Sequence, residues 1–270
     1  MAVIIIPMSQ KNHLISVAVH GSAGKVGQEV VRALDSTDNM SLVASIDQVD
    51  PFWLPVGVEH FKSFGSAIDA RKFEVLIDFT NSEATMNIMK PAISAGVRLV
   101  IGSTGFTNAQ ISELHDEVSR HDTAAILAPN FTIGAVLLGK LAKIAAPFFD
   151  FVEVSEEHHE NKIDAPSGTA ISIVQSIKEG HPDKFMRNEP SKEPIGNTRG
   201  GSDNGISIHS SRLPGKLAHH QVTFGNTGQT LTLRHDTINR ECYMPGVLLA
   251  VNEIVQRNGL IIGLESLLDI

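Results

Sequence analysis

Two rhythms in the sequence predict an α/β chain of two domains. From Ile15 to Ala128, short apolar strands alternate with helical segments, as in a parallel sheet crossed by helices. From Phe151 onward, alternating strands joined by glycine-bearing turns predict a separate, open mixed sheet. A glycine-rich turn between the first strand and the first helix makes the N-terminal half a dinucleotide-binding domain of the Rossmann type. Its expected extent is residues 14–130 with a returning segment 241–270, leaving residues 131–240 as an α+β domain for substrate.

Composition narrows the functional classes. The 270 residues are 42% hydrophobic and 19% charged, which suits a globular chain with a sizeable core. The formal charge of −8 offers no basic face for nucleic acid, so local positive groups must hold any anionic ligand. Cys242 is the sole cysteine, which excludes an internal disulfide and favours a reducing compartment. Ala2 to Ile6 is too short an apolar run for a membrane span or a signal segment, so residues 1–13 read as a loose leader.

The elements follow in order. Ile15 to Val19 is a buried strand, and a helix runs to Leu34. Between them lie His20, Gly21, Ser22, Ala23, Gly24, Lys25, Val26 and Gly27. Ser41 to Ile46 is the second strand, ending at Asp47, 20 residues after Gly27. The glycines permit a tight turn and close approach to a pyrophosphate, the helix start meets its charge, and Asp47 can accept from a ribose hydroxyl. An ordinary αβ turn with a strand-end acid also accounts for this spacing.

Phe73 to Phe79, Arg98 to Ile101 and Ala124 to Ala128 are the next strands. Helices are expected over Ser82 to Ala95, interrupted near Pro91, and over Asn108 to Ser119. Gly102, Ser103 and Thr104, and Ala128, Pro129, Asn130 and Phe131, follow strand ends on one sheet edge, where they can border a nicotinamide or serve as plain connectors. Phe52, Trp53 and Leu54 read as loop packing more than a cofactor box, although their place after Asp47 also suits a border for the adenine.

The second half opens with an apolar helix from Ile133 to Ala146 and a strand from Phe151 to Ser155. Its chemistry gathers in the twelve residues from His158 to Thr169. His158 and His159 stand at a strand end, Lys162 follows in a loop, and Pro166-Ser167-Gly168-Thr169 opens a helix. Ser167 is a good N-cap, and the N–H groups near Gly168 and Thr169 can cradle a carboxylate or phosphate. An imidazole, a movable cation and an anion cradle together suit the reduction or isomerisation of a small anion. A solvated loop with an ordinary cap also fits. No metal is expected, since adjacent strand residues point to opposite faces and no companion ligand spacing exists.

His181 to Asn204 reads as a long polar loop. Gly205 to Ser210, His220 to Phe224 and Gln229 to His235 are strands. His209, His219, His220 and His235 read as surface or interface histidines. Met244 to Val255 is a helix, and the apolar tail Gly259 to Ile270 is expected to dock on the first domain.

The stretch Glu157-His158-His159-x-x-Lys162-x-Asp164-Ala165-Pro166-Ser167-Gly168-Thr169-Ala170 resembles the signature of the 4-hydroxy-tetrahydrodipicolinate (dihydrodipicolinate) reductase family of lysine and diaminopimelate biosynthesis. Asp78-Phe79-Thr80, Ile101 to Phe106 and Ala128 to Phe131 are similar to that family's loops. The resemblance implies a cytoplasmic homotetramer, joined through the second domains' sheets, that reduces a cyclic imine dicarboxylate with NADH or NADPH, without nucleic acid or membrane. It implies His158 as acid/base and Lys162 as cationic proton donor. His159, Ser167, Gly168 and Thr169 would bind substrate. Gly21 to Gly27, Asp47, Gly102 to Thr104 and Ala128 to Phe131 would bind the dinucleotide. The chain departs from the family's usual pattern at His20, Lys25, Gln48, Pro129 and Leu213 to His220. Gln48 is neutral and Lys25 is the local cation, so NADH is the expected preference, with NADPH possible. Another two-domain dehydrogenase would share the first unit without the His-His-x-x-Lys stretch, and a redox sensor would need no such proton donors.

Overall fold

The computed structural model describes residues 13–268, so the leader expectation falls on residues outside those described. Among the described residues the strands are β1 Ile15–His20, β2 Met40–Ile46, β3 Glu59–Phe61, β4 Val75–Asp78, β5 Arg98–Ile101, β6 Ala124–Leu127, β7 Phe151–His158, β8 Gly201–Asp203, β9 Ile206–Arg212, β10 Ala218–Asn226, β11 Gln229–Thr237 and β12 Gly259–Ile262. The helices are α1 Gly27–Asp35, α2 Phe64–Ala70, α3 Ser82–Ser94, α4 Asn108–Arg120, α5 Ile133–Ala145, α6 Gly168–Gly180 and α7 Met244–Ile254.

The chain divides into two compact units. One runs to Pro129 and takes up Val247–Gly263; the other holds Asn130–Gly246 and the segment from Leu264. The returning segment is therefore shorter at both ends than 241–270, and the second boundary falls inside α7.

The first unit holds a seven-stranded sheet in the order β12-β6-β5-β4-β1-β2-β3, with every pairing parallel. Helices on both faces explain why its central strands read as continuous apolar runs. Leu76, Leu99 and Ile101 meet Met89 and Ile93 of α3 and Leu114 and Val118 of α4 in the core. The strand order reverses beside β1, so the ends of β1 and β4 form the switch point where such sheets bind ligands. There Asp78, wholly buried, lies 3.2 Å from His20 and accepts from Thr80, Thr85 and Ser103.

Several local expectations are corrected. α3 passes through Pro91 without interruption. Met89, Ala92 and Ile93 are buried around it, and the Ala95 N–H bonds the Pro91 carbonyl at 3.1 Å, so packing outweighs the bond lost at the proline nitrogen. Phe52 is 91% exposed and Trp53 45% exposed, because their loop runs over the surface and does not pack. The short β3 and α2 lie in a stretch with no strong periodicity; Ser63 caps α2. Part of the apolar tail forms β12, which pairs with β6.

The second unit holds a five-stranded mixed sheet in the order β11-β10-β7-β9-β8. β7 runs parallel to β9 and antiparallel to β10. α5 and α6 cover one face through Leu138, Ala142, Ile173 and Ile177 against Val152, Val154, Val222 and Phe224. β8 lies within the expected long loop. No helix among the described residues is long and apolar enough to cross a membrane.

Candidate active site

β7 alternates strictly, placing Val152, Val154, Glu156 and His158 on its buried face. The two valines join the core. The two ionisable residues occupy the same row where the strand ends. His158 is 8% exposed, and the Glu156 side chain is fully buried.

A buried carboxylate is costly unless donors surround it. The Glu156 Oε2 lies 2.5 Å from the His158 Nδ1 and accepts from Arg212 at 2.9 Å. Its Oε1 accepts from the second Arg212 nitrogen at 2.7 Å and from the Ser167 N–H at 3.3 Å. Arg212 ends β9 directly opposite His158, and also donates to the Asp164 carbonyl at 2.6 Å. Burial acts to raise the Glu156 pKa, but hydrogen bonds from Arg212, Ser210 and His158 outweigh it and hold the carboxyl below its usual range. Burial depresses the His158 pKa; Glu156 opposes that effect, while the charges of Lys162 and Arg212 add to it.

The chain then turns. The Lys162 N–H bonds the His159 carbonyl at 3.1 Å, and the Lys162 ammonium lies 2.6 Å from Asp164. His159 is half-buried. Ser167 caps α6, its Oγ accepting from the Ala170 N–H at 3.2 Å. The first N–H groups of the helix, at Gly168 and Thr169, have no partner within it. A Cβ at Gly168 would meet nothing within 4 Å, so the approach to those donors is open. Thr169 Oγ1 lies 3.5 Å from Asn130 Nδ2. His158, Lys162 and the Ser167 turn thus converge through Glu156, Arg212 and Asp164.

His220 corrects the surface assignment. It is 3% exposed, its Nε2 lies 3.1 Å from Ser167 Oγ, and its ring centroid is 5.3 Å from that of His158. Burial, reinforced by His158, lowers its pKa to about 4.

In the first unit, Gly21 has φ of +82°, and a Cβ on Gly27 would lie 2.0 Å from the Gly21 carbonyl oxygen. Side chains are rejected at both positions. α1 starts without a side-chain cap at Val26, and the Gln28 N–H closes the turn on the Gly24 carbonyl at 3.0 Å. Asp47 accepts from the Ala23 N–H at 2.9 Å and the Val49 N–H at 3.1 Å, tying the strand end to the glycine turn. This cradle fits a dinucleotide phosphate. Ser22, Ser103, Ala128 and Phe131 are buried, so their side chains serve packing and internal hydrogen bonds. A Cβ on Gly102 would overlap the Phe79 ring at 2.2 Å. Lys25, Thr104 and Pro129 are exposed. Asn130 and Phe131 belong to the second unit. Lys62 is a further cation beside Gln48: its ammonium donates to the Gln48 carbonyl at 3.2 Å and pairs with Asp50 at 2.5 Å.

Sequence reasoning missed Glu156, Arg212, His220 and Lys62. Glu156 had a signal, since it shares the parity of Val152, Val154 and His158. The others come close only through strand pairings that no local pattern reveals.

Family models described as dihydrodipicolinate reductase, N-terminus and C-terminus, match residues 15–131 and 134–268. A 4-hydroxy-tetrahydrodipicolinate reductase of Dehalococcoides mccartyi is 44% identical over 262 residues, covering 95% of this chain and 99% of the relative. That of Lysinibacillus sphaericus is 41% identical over 263 residues, covering 94% and 99%. The dipicolinate-bound dihydrodipicolinate reductase of Paenisporosarcina sp. TG-14 superposes with a TM-score of 0.86 at 40% identity, covering 94% of this chain and 100% of that one. With both halves matched and the relatives aligned almost end to end, the chain belongs to the dihydrodipicolinate reductase family.

Proposed function

We propose that this protein catalyses the nicotinamide-dependent reduction of 4-hydroxy-tetrahydrodipicolinate to tetrahydrodipicolinate, in lysine and diaminopimelate biosynthesis. The observation that carries the reading is that one buried carboxylate, Glu156, holds both the His158 ring and the backbone of the Ser167 anion turn. Proton chemistry and carboxylate recognition are thereby joined in a chain of the matching family.

The cofactor supplies the hydride when bound. Gly21 to Gly27 would hold its pyrophosphate and Asp47 its ribose, with Gly102 to Thr104 and Ala128 to Phe131 bordering the nicotinamide. Lys162 stabilises negative charge developing on the substrate ring and donates a proton. His158 is the acid/base group. His159, Ser167, Gly168 and Thr169 receive the substrate carboxylates. Asp47 repels a 2′-phosphate, Gln48 is neutral, and Lys62 is engaged by Asp50, which supports a preference for NADH with NADPH still usable.

A homotetramer joined through the second units' sheets accords with the family resemblance, and the sheet face opposite α5 and α6 is the surface it would use. The family's biosynthetic role and the single Cys242 support a cytoplasmic location.

Calorimetric titration tests the substrate class. Dipicolinate should bind saturably in the presence of NADH, and picolinate, lacking one carboxylate, should bind at least roughly tenfold more weakly. Equal affinity, or no binding of dipicolinate, would overturn the dicarboxylate reading.

A further inference from the structure

Every neighbour of the Glu156 carboxylate offers it a hydrogen. Arg212 presents two N–H groups, Ser167 its backbone N–H and Ser210 its hydroxyl. An arginine never gives up its proton in a protein, so a carboxylate so placed is ionised and accepts only. The remaining contact, at 2.5 Å, is the Nδ1 of His158. Facing an acceptor-only group, that nitrogen must carry hydrogen.

We infer that Glu156 is a positioning residue that locks His158 in the Nδ1–H form, so that Nε2 is the sole point of proton entry and exit. This rests on the reading of His158 as the acid/base group of the reductase site. A proton leaving Nε2 turns the imidazolium into the neutral Nδ1–H ring, with the N–H electron pair staying on Nε2. That lone pair then takes the next proton from the Lys162 ammonium or from water, while Glu156 stays ionised throughout. Arg212 acts at one remove: it cancels the cost of the buried carboxylate and, through the Asp164 carbonyl, ties the loop bearing Lys162 to the same anchor. The charged and titratable groups around the ring are Glu156 on its own strand, Arg212 from β9, His220 from β10, and Lys162 and Asp164 in the following loop.

The direct test is long-range proton–nitrogen NMR on the full-length wild-type protein labelled at histidine nitrogen, with His158→Gln used to assign the ring. The neutral ring should show a protonated Nδ1 and a bare Nε2. A protonated Nε2 in the neutral ring would overturn the inference. Kinetics provide a second arm. Glu156→Gln places an amide donor or acceptor at the same spot and releases the lock. It should lower kcat by roughly 10²- to 10⁴-fold, leave the NADH dissociation constant unchanged, and move the ring's titration to lower pH, because the imidazolium loses its anion. Glu156→Asp should recover at least roughly tenfold of the lost kcat. Wild-type kcat and an unmoved titration in Glu156→Gln would also overturn it. The tautomer measurement needs no turnover, so it stands or fails separately from the reductase reading.

Discussion

The Nε2 of His220 lies 3.1 Å from the Ser167 Oγ, the same oxygen that accepts from the Ala170 N–H to cap α6. A buried imidazole on β10 thus supports the start of α6, at the turn proposed to receive the substrate carboxylates.

The burial of that imidazole makes the fold sensitive to acid. With its pKa lowered from 6.5 to about 4, His220 binds fewer protons in the folded state than in the unfolded chain between those values. Stability is therefore complete above pH 6.5 and is lost as pH falls toward 4, by on the order of 3 kcal/mol from this group. His158 and His235 are lowered in the same direction, so the readout is a difference between proteins. Urea midpoints at pH 7 and pH 5 should diverge less for His220→Asn than for wild type. Equal divergence would show that His220 does not carry the effect.

His158→Ala and Lys162→Ala should each reduce kcat by roughly 10²- to 10⁴-fold, the usual loss for one acid/base or charge-stabilising group. Both residues belong to the second unit, away in sequence from the glycine turn, so the NADH dissociation constant should stay within about twofold. Stopped-flow turnover and fluorescence titration separate the two. Near-normal turnover in either variant would remove that residue's assigned role.

Thr169→Val removes a hydroxyl beside the Asn130 amide while keeping the side-chain shape. Substrate KM should rise by roughly tenfold, about the worth of one hydrogen bond to a charged group. NADH affinity should hold. An unchanged KM would place the substrate carboxylate elsewhere.

Cofactor choice turns on Asp47 and Gln48. NADH should give the higher kcat/KM, and Gln48→Arg should shift the ratio toward NADPH by roughly tenfold or more. Asp47→Ala should move the ratio further, although it also frees the Ala23 N–H and weakens both cofactors. The measurement belongs at one fixed ionic strength, since salt screens exposed charge. A wild-type protein that clearly favours NADPH would contradict this reading.

The first unit was largely legible in the sequence because its strands, turns and helices are each written locally. The β1 strand, the Gly21 to Gly27 turn and Asp47 lie within one short segment. So do His158, Lys162 and the Ser167 cap. What stayed hidden depends on pairing at long range. Arg212 reaches Glu156 because β9 lies parallel to β7, and His220 faces Glu156 through the β10 register. β3 and β12 are too short to show periodicity, and each is stabilised by the neighbouring strand it extends. Pro91 misled because local propensity was outweighed by the burial of Met89, Ala92 and Ile93.

The central claim is that this chain reduces the cyclic imine dicarboxylate. The most direct test mixes the purified protein with NADH and substrate generated in place by the upstream synthase, and follows absorbance of the reduced cofactor. Synthase-dependent loss of absorbance is predicted, slowed roughly 10²- to 10⁴-fold in Lys162→Ala and accompanied by one tetrahydrodipicolinate per NADH consumed. No substrate-dependent loss with either NADH or NADPH would contradict the account.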